Sequence, residues 1–205
     1  MFITFEGIDG SGKTTQIKLF SEYLKTKNIK HILTTEPRCT GHISWAEDIL
    51  NVIFNNKMNP MSQLFLINAI RKEHIEKIIK PAIKRDEIVL CDRFIDSTIA
   101  YQSYGFGLNA EYIYNIHKEY QENLMSDVTF LFDMSIENSQ NRIKSRGEEN
   151  SFDKMQKDVM NKIRNGFIEQ AKANLRRIII IDANRSIDEI NAEVIEKFTI
   201  FAENY

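Results

Sequence analysis

Residues Gly7-Ile8-Asp9-Gly10-Ser11-Gly12-Lys13-Thr14 fit the pattern G-x-x-x-x-G-K-[ST]. They follow a short apolar run, Phe2 to Phe5, and precede a helical stretch from about Lys13 to Lys27 with Ile17, Phe20 and Leu24 on one stripe. That placement, strand then glycine turn then helix, is the context the pattern requires. Glycines let successive backbone N–H groups turn inward around a phosphate, and the helix that follows points its positive end at the same spot. In such a cradle the lysine, here Lys13, reaches the β- and γ-phosphates, and the hydroxyl, here Thr14, ligates Mg²⁺. Gly7, Ile8, Asp9, Gly10, Ser11, Gly12, Lys13 and Thr14 are therefore the candidate residues for the phosphates of a nucleotide.

The rest of the chain must be compatible with a strand that opens into a phosphate loop. Ile32 to Thr35 is a weak strand candidate, and Met61 to Lys84 reads as one long helix with Leu64, Ile67, Ile75 and Ile78 in register. Three runs, Ile88 to Cys91, Val128 to Phe132 and Ile178 to Ile181, are apolar on both faces, as central parallel strands buried between helices should be. Helices separate them, the last starting from a capping box at Ser186 and Glu189. This alternation predicts a three-layer α/β fold around a parallel sheet, with ligands bound at the carboxyl ends of the strands.

At 205 residues one domain spanning 1–205 is expected. With 27 basic and 29 acidic residues the net charge is −2, which offers no global attraction to nucleic acid or to anionic membranes. Only two cysteines, Cys39 and Cys91, are present, so a disulfide framework is excluded and a reducing, cytoplasmic compartment is expected. No signal peptide and no membrane span are expected.

Phosphate loops serve switches, motors and small kinases. Guanine readers need Asn-Lys-x-Asp after a strand, whereas the candidate strands here end in Asp133-Met134-Ser135 and Asp182-Ala183-Asn184. Three strands end in an aspartate: Asp92, Asp133 and Asp182. One of them should stand near Mg²⁺, and the others cap or turn. Asp92 is singled out by the Arg93 beside it, which pairs a carboxylate for metal with a guanidinium for phosphate.

Two segments carry a resemblance. Phe5-Glu6-Gly7-Ile8-Asp9-Gly10-Ser11-Gly12-Lys13-Thr14-Thr15-Gln16 and Asp92-Arg93-Phe94-Ile95-Asp96-Ser97-Thr98-Ile99-Ala100-Tyr101-Gln102 together resemble the thymidylate kinases. The resemblance implies the P-loop nucleoside-monophosphate kinase fold, with a five-stranded parallel sheet flanked by helices and a small mobile lid. It implies transfer from MgATP to dTMP, giving dTDP, in a homodimer. A pyrimidine nucleotide or deoxynucleoside kinase of relaxed acceptor specificity is the alternative.

For the acceptor the resemblance implies Asp9 at the sugar 3′-hydroxyl, Arg93 on the phosphate, Arg71 on the thymine carbonyl, and Ser97, Tyr101 and Gln102 around base and sugar. Asp92 is the metal carboxylate, directly or through water, beside Thr14. On helix statistics alone Arg71 would snorkel to solvent, since it interrupts an apolar stripe. On the acceptor side three residues depart from the pattern. Ile67 stands where the family commonly stacks a phenylalanine on the base, and Arg38-Cys39 replace two glycines in Glu36-Pro37-Arg38-Cys39-Thr40. Arg38 then either takes the dTMP phosphate or faces solvent. Some members of the family carry a catalytic arginine within the phosphate loop; here that place is Gly10, so the charge must come from a lid at about 142–156, through Arg142 and Arg146. Asp153-Lys154-Met155-Gln156 departs from the family's D-R-[FI]-E, and the stretch Asp182 to Ser186 matches its adenine-side loop weakly.

Overall fold

The computed structural model describes residues 1–39, 43–146 and 156–204, with the side chain of Arg146 outside that set. Five parallel strands form one sheet: β1 (Phe2–Glu6), β2 (His31–Thr35), β3 (Ile88–Asp92), β4 (Val128–Asp133) and β5 (Ile178–Asp182), in the order β2-β3-β1-β4-β5. β1, the strand that opens into the glycine loop, is central and fully buried. Its neighbours leave it at both sides, which puts the phosphate loop at the point where a crevice opens between strand ends. The register sets Phe5 opposite Asp92 and Glu6 opposite Leu131, so the end of β3 is brought beside the loop.

Helices cover both faces. α1 (Lys13–Thr26) buries Ile17, Phe20 and Leu24, the expected stripe, against Phe5, Phe130 and Phe132 and against α9 (Ile187–Glu203) through Val194 and Phe198. The Ser186–Glu189 capping box that starts α9 is formed. On the other face α3 (Pro60–His74) and α6 (Ala110–Tyr120) pack Leu64 and Ile113 over Val89 and Phe94. α2 (Ala46–Asn55), which sequence periodicity did not single out, closes over β2 with Leu50 and Ile53. α8 (Lys157–Ala173) follows α7 (Ile136–Arg146) and lays Ile163 and Phe167 on Ile8 and Leu131.

Two expectations are corrected, for the helix over Met61 to Lys84 and for β5. The helix expected over Met61 to Lys84 is α3, a π-helical turn at Ile75–Ile79 and the short α4 (Lys80–Lys84). Lys80 N–H donates to the Ile75 carbonyl, five residues back. Pro81 has no N–H to give a regular turn and its ring crowds the preceding carbonyls, so widening the helix relieves both. The segment after α5 (Ile95–Thr98) is likewise π-helical, Ile99–Gly105, and carries Tyr101 and Gln102. β5 is an edge strand, not a central one, and Ile180 is 44% exposed. An all-apolar run cannot by itself tell a buried strand from an edge.

Candidate active site

α1 begins without a side-chain cap, its N-cap is Gly12 at φ 92°, and its first turn carries no acid. The Thr15 N–H turns back to the Gly12 carbonyl at 3.1 Å, and the helix dipole at this end favours an anion. Ser11 Oγ is buried in the same loop without a partner among the described residues, an orphan donor of the kind a phosphate oxygen would satisfy. Gly7, at φ 138°, lies so close to Phe132 that a Cβ would come within 2.5 Å of its carbonyl oxygen. Gly10 faces α7: a Cβ there would lie 2.7 Å from the Ser139 carbonyl oxygen, and Ser139 Oγ donates to the Asp9 carbonyl at 2.7 Å. The loop is thus seated on α7, which leaves no room for a side chain at position 10.

Lys13 is buried and its Nζ donates to the Ile8 carbonyl at 2.9 Å. Burial first, then the Arg93 charge, pull its pKa down to about 8, against the opposing carboxylates of Asp92, Asp9 and Glu6. Thr14 Oγ1 donates to Asp92 Oδ2 at 2.8 Å. Of the three strand-end aspartates only Asp92 meets the loop. Asp133 takes a two-pronged contact from Arg164 of α8, at 2.7 and 2.8 Å, and Asp182 accepts from the backbone and side chain of Asn184.

Arg93 occupies the turn after β3 at φ 73°, a conformation that costs an L-residue roughly 1–2 kcal/mol. Its Nη1 donates to the Gly7 carbonyl and to Ser97 Oγ, both at 2.9 Å, and Nη2 donates to Asp9 Oδ1 at 2.5 Å. The guanidinium also lies 5.3 Å from the centre of the Tyr101 ring, whose hydroxyl donates to Asp9 Oδ2 at 3.2 Å. Asp9 is therefore neither an exposed loop acid nor a charge set against a phosphate. Burial would raise its pKa, but the charges of Arg93 and Lys13 outweigh this and hold it below the ordinary carboxylate value.

Arg71 does not snorkel. It is 2% exposed, with Nε donating to Glu36 Oε2 and Nη2 to Thr98 Oγ1, both at 2.7 Å. Its Nη1 is buried without a partner among the described residues, and the residue lines the same cavity as the phosphate loop. Glu36 is held in turn by His74, whose Nδ1 meets Oε1 at 2.8 Å. Arg38 is half-exposed at the cavity wall and paired with Glu47 of α2 at 2.5 Å. Thr40, two residues further on, lies outside the described residues.

One cavity of about 960 Å³ gathers these groups. It runs from Asp9 through Thr14, past Asp92 and Arg93, to Arg71, Ser97, Tyr101 and Gln102, with Ile67 and Arg38 in its wall. Arg142 of α7 closes the other end, where Nη2 donates to the Ala183 carbonyl at 3.0 Å beside Arg185 and Ser186. Gly7 and Ile8 stand behind the lining and contribute carbonyls to Arg93 and Lys13. For the lid, positions 147–155 lie outside the described residues, and so does the side chain of Arg146.

Sequence reasoning passed over several groups. Glu6, fully buried at the end of β1, accepts from Phe94 N–H at 2.6 Å and from Ser97 Oγ at 2.5 Å. Burial and then the Asp96 charge push its pKa up to about 8. Glu36 and Thr98 support Arg71, and Phe54 of α2 adds an aromatic ring to the wall near Ile67. The available signals were an ionisable residue ending an apolar strand and another just ahead of Pro37.

A family model described as Thymidylate kinase matches residues 5–194. Thymidylate kinase from Wolbachia pipientis wMel is 40% identical over 203 residues, which is 97% of this chain and 100% of the relative. Thymidylate kinase from Mycoplasma capricolum is 38% identical over 201 residues, 96% and 93% of the two chains. The crystal structure of thymidylate kinase from Ehrlichia chaffeensis superposes with a TM-score of 0.78 at 36% identity, covering 97% of this chain and 98% of that one. With a sheet, a phosphate loop and an Arg93-centred turn that match its sequence signature, the chain belongs to the thymidylate kinase family.

Proposed function

We propose that the cavity binds dTMP along Arg71, Arg93, Asp9, Ser97, Tyr101 and Gln102 and ATP along the Gly7–Thr14 loop, and that Lys13, Arg142 and Arg146 surround the transferred phosphoryl group while Arg93 holds the acceptor phosphate that receives it. The chain phosphorylates dTMP to dTDP with ATP as donor, the reaction of the family to which it belongs. One observation carries the acceptor assignment: a buried guanidinium whose Nη1 has no partner among the described residues, that of Arg71, in the cavity that also contains the phosphate loop. A buried donor left without a partner costs roughly 1–3 kcal/mol, and a base carbonyl removes that cost.

Phosphoryl transfer leaves the protein little covalent chemistry; its work is to align two phosphates and to offset the charge that develops between them. Arg93, fixed by Gly7 and Asp9, supports an acceptor phosphate placed next to the loop that holds the donor. Asp9, already bonded to Arg93 and Tyr101, is shielded from repelling a phosphate and keeps acceptor capacity for a sugar hydroxyl. Thr14 and Asp92 present a hydroxyl and a carboxylate oxygen, hard donors that suit Mg²⁺. No group of three or more potential His, Cys, Asp or Glu ligands exists among the described residues, which suits an ion completed by water and phosphate oxygens. When bound, Mg²⁺ neutralises charge on the donor phosphates.

No helix among the described residues is long and apolar enough to cross a membrane. Two buried free cysteines support a reducing, cytoplasmic setting, and Phe65 of α3 with Tyr112 and Tyr120 of α6, all exposed, support a homodimer. A coupled assay with MgATP and dTMP, dUMP, UMP, CMP, AMP or thymidine tests the reading. Turnover is expected with dTMP in preference to the others; turnover with none of them overturns it.

A further inference from the structure

We infer that Glu6 is a positioning residue for the acceptor side of the site: through Ser97 it holds Arg93 in the geometry that receives the acceptor phosphate. Glu6 ends the central strand with no exposed surface, and both of its carboxylate oxygens are engaged. Oε1 accepts from the N–H of Phe94, the residue directly after Arg93, while Arg93's own N–H donates to the Phe5 carbonyl at 3.0 Å. The left-handed backbone at Arg93 is thereby clamped from both sides by consecutive residues of β1. A strained turn persists only when its surroundings over-determine it.

The second oxygen acts on the side chain. A serine hydroxyl has one proton to give and lone pairs to receive. Ser97 gives its proton to Glu6 Oε2 at 2.5 Å, which turns its lone pairs toward Arg93 Nη1 at 2.9 Å. The same Nη1 donates to Gly7, and Nη2 is left for Asp9. Removing Glu6 frees the hydroxyl to rotate and leaves the Phe94 N–H buried without an acceptor. The structure thus links a residue that does not line the cavity to the orientation of one that does.

The inference rests on the reading of Arg93 as the acceptor-phosphate ligand, so that variant belongs in the same experiment. Glu6→Leu, Glu6→Gln, Ser97→Ala and Arg93→Ala would be compared by steady-state kinetics with each substrate varied in turn, and by thermal melting. Glu6→Leu is expected to raise KM for dTMP by roughly tenfold, the scale of one lost buried hydrogen bond, and to leave KM for ATP nearly unchanged. Glu6→Gln keeps an acceptor for Phe94, and its amide N–H donates to Ser97 Oγ instead of accepting from it, which still anchors the hydroxyl and leaves it a lone pair for Arg93, so it is expected to restore part of the loss. Ser97→Ala should shift KM for dTMP in the same direction even if Glu6→Leu fails to fold. Glu6→Leu combined with Arg93→Ala should be no worse than Arg93→Ala alone, because both act through one guanidinium.

An unchanged KM for dTMP in Glu6→Leu or Ser97→Ala, with Arg93→Ala impaired, overturns the inference alone. So does an equal rise in both KM values, which marks a general structural role. Glu6→Gln as damaging as Glu6→Leu overturns it too. An Arg93→Ala variant that uses dTMP normally overturns the underlying assignment, and the inference with it.

Discussion

Arg71 sits within an apolar helical stripe, and Glu36 is what keeps its charge there. The two meet at 2.7 Å with both side chains almost wholly buried. Burial tends to raise the Glu36 pKa, yet the Arg71 charge and the His74 hydrogen bond outweigh it and hold the carboxyl below the ordinary carboxylate range. A depressed carboxylate stabilises the fold fully above the unfolded value and loses that contribution as pH falls through the folded one. Glu36→Gln should therefore destabilise the protein by about 3 kcal/mol near pH 7, the lower end for breaking a buried pair. The difference from the parent should shrink as pH drops below about 4. Urea midpoints at both pH values test this; a gap that stays constant into acid would show that the charge of Glu36 is not what matters. A second residue-scale expectation concerns the lid: Arg146→Ala should lower kcat by roughly 10²–10⁴, near the range for arginine fingers, with dTMP binding little changed. An unaltered kcat removes Arg146 from the mechanism. Arg71 was visible in the sequence as an oddity, but its partner lies 35 positions away and no local pattern joins the two. Glu6 and Ser97 are separated by 91 positions, and the sheet register alone brings them together.

The contact between the phosphate loop and α7 explains, among elements, why the loop lacks an arginine. Gly10 takes φ 78° and has the Ser139 carbonyl where a Cβ would be, so helix and loop approach to backbone contact. Even Gly10→Ala must bear a left-handed backbone, about 1–2 kcal/mol, and push α7 away besides. It is expected to weaken ATP binding by roughly tenfold or more, measured by calorimetry with a non-hydrolysable analogue. ATP affinity at the parental value would mean that α7 moves aside at no cost. Elements were legible to unequal degrees. β3 and β4 announced themselves by runs apolar on both faces, β1 by a short apolar run ahead of the glycine turn, and α1 and α9 by a clean stripe and a capping box. The π-helical segments did not, because their five-residue turns arise from Pro81 in one case and from packing on α8 in the other. There Gly105 lies so close to α8 that a Cβ would come within 2.8 Å of Ile163. Periodicity assumes 3.6 residues per turn and misplaces faces wherever that fails.

At the scale of the whole molecule, a net charge of −2 coexists with a cavity whose wall carries Lys13, Arg38, Arg71, Arg93 and Arg142. The carboxylates of Asp9, Glu36 and Asp92 stand among them, so that the fold does not have to tolerate an uncompensated positive cluster before substrate arrives. Binding either nucleotide completes a network that the protein has half built, and each should stabilise the folded state by mass action. At a hundred times Kd the gain is about 2.7 kcal/mol. For a chain of this size that corresponds to a rise of roughly 5–11 °C in Tm. Because Arg93 and Lys13 are assigned to different phosphates, the two gains should separate by mutation. Arg93→Ala should lose the shift with dTMP and keep the shift with a non-hydrolysable ATP analogue, whereas Lys13→Ala should do the reverse. Thermal melts of parent and both variants, each with either ligand at fixed excess, decide the matter. If either substitution abolishes both shifts, the cavity works as one indivisible anion site, and the division into donor and acceptor halves at Arg93 is wrong.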